Sequence, residues 1–145
     1  MALYLIAFND EWVPDHTLEE LREKATTARA LIEEMTAAGV FVFSDGGLDA
    51  STVVCSVDPS GGSVVFTDGP FTETKELIAG YWILQVKDMA EAVDWVSRAP
   101  MLDGDTLEIR PFFEPEEFTG LATPELIAQE KAWRDDQLAK APKAG

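Results

Sequence analysis

Three ionisable side chains have the types needed to act together on a small molecule: Asp68, Lys75 and Arg110. Asp68 ends a predicted strand and begins a loop, where a carboxylate can serve as a general base. Lys75 can neutralise an anionic ligand, and the planar guanidinium of Arg110 can clamp a carboxylate. If loop and strand face one opening, Asp68 is the catalytic residue that abstracts a proton, while Lys75 or Arg110 steadies an anionic substrate.

The same residues also fit structural roles. Asp68 can accept backbone hydrogen bonds in its own turn, and Lys75 can form a solvated ion pair with a neighbouring carboxylate. Arg110 can form an internal salt bridge with one of three acidic side chains: Glu76, Asp68 or Glu108. The sequence leaves both interpretations open.

The loop after Asp68 supplies most of the predicted binding set. Gly69 permits an unusual φ and Pro70 fixes one, so both shape the loop. Phe71 either anchors the loop in apolar packing or stacks on a ligand. The predicted binding residues are Gly69, Pro70, Phe71, Lys75, Glu76, Glu108 and Arg110.

Histidine and cysteine add little further chemistry. The one histidine, His16, directly precedes a predicted helix, a setting typical of an exposed helix-entry residue. The one cysteine, Cys55, shares a strand face with valines and is interpreted as a small buried side chain. Because no metal-ligand spacing, Rossmann fingerprint or phosphate-binding glycine loop is present, we predict neither a metal site nor a cofactor.

The composition argues against several classes of protein. A chain of 145 residues with 46% hydrophobic content can bury the core of one domain. Its net charge of −16 repels nucleic-acid phosphates and anionic lipid headgroups. No apolar run approaches the roughly 18 residues of a membrane-spanning helix, and the N-terminus lacks the pattern of a signal peptide. We expect a cytoplasmic protein that binds neither nucleic acid nor membrane.

Hydrophobic periodicity and cap signals predict an α+β fold. Thr17 and Glu20 form a capping box before one helical pattern, and Asp88 with Glu91 does so before another. The predicted elements are a strand over 3–8, a helix over 18–38, a strand over 40–43, a hairpin of 52–57 and 63–67, a strand over 81–86, a helix from 89 that ends before Pro100, and a strand over 106–112. This order predicts a ferredoxin-like sheet of split βαβ halves with an inserted hairpin and both helices on one face.

The second face of that sheet also needs a cover. Two of the predicted strands have too few polar positions to form a solvated face. Their large apolar residues are Tyr4, Ile6, Phe8, Trp82, Leu84 and Val86. A second copy of the sheet is the simplest cover, so we predict a homodimer with a ligand-sized opening near Glu108 and Arg110.

The C-terminal part is predicted to be an extension of this domain. Thr123 and Pro124 are typical of a helix start, and the helix is expected to run to about residue 141. Its sparse apolar residues predict that it lies across a surface of this subunit or of its partner. We therefore divide the chain into a domain over 1–113 and an extension over 114–145.

Two segments carry a resemblance to a known family. The first is Asp-Gly-Pro-Phe-Thr-Glu-Thr-Lys-Glu at 68–76, followed by Gly-Tyr at 80–81, and the second is Glu-Ile-Arg-Pro at 108–111. Together they resemble the YCII-related domain family, in its DGPF-domain branch of YciI-like proteins, over roughly residues 1–113. The resemblance implies a ferredoxin-like dimeric α+β barrel with a cleft bordered by the Asp-Gly-Pro-Phe loop.

The resemblance implies two different classes of function. Relatives include a dehydrochlorinase for a chlorinated muconolactone-type compound, which suggests a lyase or dehalogenase acting on small organic acids. Other members are associated with extracytoplasmic-function sigma factors, which suggests a non-catalytic ligand-sensing or interaction module. The enzymes have a proposed catalytic histidine in the first helix, whereas 18–38 holds no histidine here. We therefore carry over no His–Asp pair.

Overall fold

The computed structural model describes residues 1–10, 17–44, 48, 55–58, 60–63, 65–68, 77–102 and 104–142, with the backbone alone at 10, 55–58, 66–68 and 77. Its elements in chain order are β1 (Ala2–Asp10), α1 (Leu18–Ala37), β2 (Phe41–Ser44), β3 (Cys55–Asp58), β4 (Val65–Asp68), β5 (Leu77–Val86), α2 (Met89–Val96), β6 (Asp105–Pro111), a 3₁₀ helix (Pro115–Phe118) and α3 (Pro124–Ala139). No helix within these ranges is long and apolar enough to cross a membrane.

The first helix begins and ends where its cap residues predict. The Thr17 hydroxyl accepts from the backbone N–H of Glu20 at 3.2 Å, and the Glu20 carboxylate accepts from the Thr17 N–H at 2.8 Å. This reciprocal capping box satisfies donors that the first turn leaves unpaired. Past the C-terminal end, Gly39 takes a φ of +73°, a conformation that glycine adopts without steric cost.

The second helix departs slightly from the predicted capping box. Asp88 is the N-cap, and its carboxylate accepts from the Glu91 N–H at 2.9 Å. The Glu91 carboxylate accepts instead from the N–H of Lys87 at 2.8 Å, one residue earlier than a capping box requires. The helix stops four residues before Pro100, as the restriction on residues before proline predicts.

Four strands of the described residues form an antiparallel sheet in the order β2-β5-β1-β6. This order and the two βαβ units confirm the ferredoxin-like α+β fold. The central pair is long because β5 begins at Leu77, four residues before the predicted start. The ladder with β1 continues past an irregularity at Phe8/Asn9 to the pair Asp10–Leu77.

The predicted hairpin is present as a separate two-stranded sheet. Strands β3 and β4 pair antiparallel, with Cys55 opposite Asp68 and Asp58 opposite Val65. The chain leaves this hairpin at Asp68 and rejoins the main sheet at Leu77. Asp68, the first residue of the Asp-Gly-Pro-Phe run, is therefore the last residue of the hairpin.

The core lies between the sheet and the first two helices. Its largest fully buried side chains come from β1, α1 and β5, and they are Ile6, Met35, Leu84 and Val86, while Ala92 of α2 is fully buried as well. On this face the rings of Phe8 and Trp82 meet edge to face, with centroids 4.7 Å apart. Ion pairs Lys24–Asp105 and Arg98–Glu34 tie α1 to β6 and to the end of α2.

Candidate functional site

The sheet face opposite α1 and α2, which we call the open face, is built from alternate residues of the same strands. The six apolar residues used to predict a second covered face all lie instead on the helix side, packed in or against the core. Their neighbours form the open face, which includes Leu3, Leu5, Ile83 and Gln85. The residues on which the second face was predicted are therefore wrong, because alternate side chains of a strand lie on opposite faces and all six of these face the helices.

Part of the open face keeps large apolar side chains in contact with solvent. Phe43 pairs with Ile83 and remains 48% exposed, and Ile78 on β5 remains 50% exposed. The ring centroids of Phe43 and Tyr81, which lie on the same face, are 6.2 Å apart. Exposed apolar side chains on a sheet face that α1 and α2 do not cover are typical of an interface or a ligand site.

Two of the predicted site residues meet on this face. Glu108 pairs in register with Ala7 and Arg110 with Leu5, so both side chains lie on the open face. The Arg110 guanidinium donates to the Glu108 carboxylate, through Nε at 2.9 Å and through a terminal nitrogen at 2.8 Å. The internal salt bridge predicted as one alternative is therefore formed. The Arg110 side chain is still 70% exposed, which leaves much of it in solvent.

The C-terminal helix lies over the other part of the open face with little packing. None of the α3 residues is buried, and Trp133 is 61% exposed. Polar contacts hold the helix in place: Arg134 pairs with Glu114 at 2.8 Å and donates to the carbonyl of Phe113, and Lys131 pairs with Glu116 at 2.9 Å. The helix is thus attached mainly through its links to the segment just after β6.

A cleft of about 560 Å³ lies between α3 and the sheet. Leu3, Val42 and Ile83 form its floor. Its other walls come mainly from the segment after β6 and from α3, and include Phe112, Phe118, Leu126, Ile127, Glu130, Trp133 and Arg134. The volume falls within the range of about 300–1,000 Å³ typical of small-molecule sites. The mainly apolar lining favours a ligand with a hydrophobic body.

The ion pair beside the cleft changes the acidity of both its members. The Lys131 ammonium donates a hydrogen bond to the Glu116 carboxylate and lowers the pKa of that group. The same hydrogen bond raises the pKa of Lys131. Both groups are exposed, so the pair is a local tether whose strength depends on pH and salt.

The remaining predicted site residues are only partly placed. The backbone of Asp68 ends β4 opposite Cys55. Gly69, Pro70, Phe71, Lys75 and Glu76 lie outside the described residues, as does His16. The convergence of Asp68, Lys75 and Arg110 on one opening therefore stays a prediction.

Sequence reasoning did not identify the cleft beneath α3. The tail was expected to lie on a surface, and its few apolar residues gave no sign of a cavity. A usable signal was present in Trp133 of α3, together with Phe112, Phe113 and Phe118 just before the helix. Aromatic residues at this density in an otherwise polar tail require a surface to contact.

Comparison with known proteins concerns mainly the sheet and its first two helices. An uncharacterised protein of Rhizobium meliloti (strain 1021) is 25% identical over 118 residues, covering 77% of this chain and 91% of that protein. The family model for the YCII-related domain matches residues 3–116, a range that ends before α3. With the ferredoxin-like topology described above, this match shows that the chain belongs to the YCII-related domain family.

Proposed function

We propose that this protein is a homodimer that binds a small molecule between the open faces of its two sheets. The observation that carries the proposal is the exposed apolar surface around Phe43 and Ile78, on the side of the sheet that α1 and α2 do not cover. A second copy would cover both side chains and remove apolar area from water. The facing sheets would enclose a cleft with Arg110 and Glu108 at its border.

The proposed chemistry is an elimination from a small organic acid, of the lyase or dehalogenase type. Asp68 accepts a proton from the carbon next to the substrate carboxylate, a carbon–carbon double bond forms, and chloride departs from the adjacent carbon. Lys75 or Arg110 holds the substrate carboxylate by charge-assisted hydrogen bonds. The sequence run at 68–76 supports the roles of Asp68 and Lys75, and the exposed position of Arg110 on the open face supports its role.

Light scattering after size exclusion tests the dimer. We expect the wild-type protein to have twice the mass of one chain, and Phe43→Glu to shift it to the mass of one. Val93→Glu is the matched control, because Val93 is 46% exposed on α2 against 48% for Phe43. A wild-type protein of single-chain mass, or a Phe43→Glu variant that still dimerises, would contradict the proposal.

Chloride release from chlorinated small carboxylic acids and chlorinated muconolactones tests the chemistry. We expect Asp68→Asn to lose about 100-fold or more of the rate, because the carboxamide cannot accept the proton. Asp58→Asn, which changes an aspartate at the end of β3 in the same hairpin, should keep it. If no compound reacts and a sigma factor co-purifies with the native protein, the interaction-module alternative replaces the enzyme.

A further inference from the structure

An exposed carboxylate, which pairs with no basic group of the described residues, lines the cleft beneath α3. Glu130 lines the cleft. Within the part of the chain that the structure describes, its side chain has no hydrogen-bond or ion-pair partner. The neighbouring Lys131 forms its ion pair with Glu116 instead. A negative charge at the edge of an apolar cleft favours a ligand that brings a positive one.

Among the described residues, the one cationic side chain that lines the cleft is already paired with a carboxylate. Arg134 is 23% exposed and pairs with Glu114 at 2.8 Å, and it also donates to the carbonyl of Phe113. An anionic ligand would have to compete with Glu114 for this guanidinium and would also meet Glu130. The net charge of −16 adds to this repulsion at longer range.

Aromatic rings surround the same space. Trp133 follows Glu130 by three residues on α3, so the two side chains share one side of the helix. Phe112 and Phe118 contribute to the opposite wall. The faces of aromatic rings attract cations, with tryptophan the strongest, and their apolar surface accepts a hydrophobic body.

We propose that the cleft between α3 and the sheet binds a hydrophobic organic cation. Its apolar body lies against Leu3, Ile83 and Phe112, and its ammonium group lies between the Glu130 carboxylate and the Trp133 ring. The cavity of about 560 Å³ has room for a ligand the size of an arylalkylamine.

The observations that support this site do not include those that support the proposed organic-acid site. The cleft floor includes Leu3, near the start of β1, whereas the segment after Asp68 rejoins the sheet at Leu77, opposite Asp10. Leu3 and Asp10 are seven positions apart on β1, which is roughly 23 Å along a strand. On the other strand, Arg110 pairs with Leu5, which pairs in turn with the floor residue Ile83, so the Arg110 end of the organic-acid site adjoins the cleft.

Three probes with one apolar body test the charge preference: 3-phenylpropylamine, 3-phenylpropan-1-ol and 3-phenylpropanoate. Titration calorimetry measures affinity for the full-length protein, and the difference in tryptophan fluorescence between the wild-type protein and Trp133→Ala reports contact with Trp133, because the chain has four tryptophans. We expect the ammonium form to bind roughly fivefold more tightly than the alcohol, and the carboxylate to bind least tightly. Equal affinity for all three probes, tightest binding of the carboxylate, or no binding of any probe would overturn the proposal.

Two substitutions locate the probe. Glu130→Gln should remove the roughly fivefold preference for the amine over the alcohol, while Glu125→Gln, an exposed change on the same helix outside the cleft lining, should keep it. Trp133→Ala should weaken all three probes by about fivefold or more, and its exposed position spares the fold. An unchanged preference in Glu130→Gln, or unchanged affinities in Trp133→Ala, would place the binding elsewhere and refute the assignment.

Discussion

The two faces of the sheet are built from the same strands but are covered in different ways. On the helix side, side chains from α1, α2 and the strands interlock, and Leu84 and Val86 are fully buried. On the open face, α3 buries none of its own residues and leaves a cleft of about 560 Å³ over the sheet. We infer that α1 and α2 maintain the fold, while the open face is left available for binding.

The largest expected contrast comes from adjacent residues of β5. Leu84→Ala creates a cavity in the packed core and should lower the free energy of unfolding by about 2–5 kcal/mol. Ile83→Ala removes a similar side chain from the open face and should cost about 1 kcal/mol or less, because Ile83 is already partly solvated. Urea denaturation followed by circular dichroism measures both. Similar losses would show that the open face is packed as tightly as the core.

The next contrast concerns the attachment of α3. Arg134→Met removes the link to Glu114 and to the Phe113 carbonyl, and should speed amide exchange in α3 by roughly fivefold, since such a pair contributes about 1 kcal/mol. Arg29→Met, which breaks an exposed pair within α1, is the control and should leave exchange in α3 unchanged. Hydrogen exchange read by mass spectrometry distinguishes the two. Slow exchange of α3 in Arg134→Met would mean that apolar packing holds the helix.

Equivalent cap substitutions compare the helices of the two faces directly. Thr17→Ala removes the capping box of α1 and should lower the global free energy of unfolding by about 1 kcal/mol. Thr123→Ala removes the corresponding hydroxyl at α3, where it accepts from Leu126 at 3.3 Å. This change should increase local exchange in α3 and leave the global transition unchanged. A global effect of Thr123→Ala equal to that of Thr17→Ala would show that both helices fold as one unit.

The smallest expected effect is a pH dependence of the α3 tether. Because the folded pKa of Glu116 is lowered, its contribution is present above its ordinary pKa and is lost as pH falls through the lowered value, in the range below about pH 4.5. The folded pKa of Lys131 is raised, so its contribution is present below its ordinary pKa and is lost as pH rises through the raised value, above about pH 10.5.

The measurement for this tether is tryptophan fluorescence at low salt, with the part due to Trp133 taken as the difference from Trp133→Ala, because the chain has four tryptophans. We expect a change at both pH limits in the wild-type protein and a smaller one in Lys131→Met. An identical acid transition in the variant would assign that change to another group. Raising the salt concentration should reduce the wild-type effect, because both charges are exposed.

Local sequence signals predicted most of the fold. Thr17, Asp88 and Thr123 marked helix starts that the structure confirms, because each hydroxyl or carboxylate accepts a backbone hydrogen bond within its own first turn. The early part of β5 was missed because residues 77–80 follow a loop motif and end in glycine. Their strand pairing depends on β1, which is far away in the sequence.

The candidate site was less predictable than the fold. Glu108 was one of several partners that the sequence allowed for Arg110. The two residues are two positions apart on one strand, so their side chains lie on the same face. The cleft beneath α3 depends on how a helix with few apolar contacts lies over the sheet, and no local pattern fixes such a placement. Likewise, Glu130 forms no ion pair with Lys131 or Arg134, because these two pair with Glu116 and Glu114.

The walls of the cleft come from different parts of the chain. Its floor belongs to strands within the family domain, matched over 3–116, whereas α3 at Pro124–Ala139 lies beyond that match. Substitutions in α3 can therefore alter the shape and charge of the cleft without affecting the core that stabilises the sheet. The molecule thus separates the part that must fold from the part that selects a ligand, so that the preference for one ligand over another can be re-engineered on a constant scaffold.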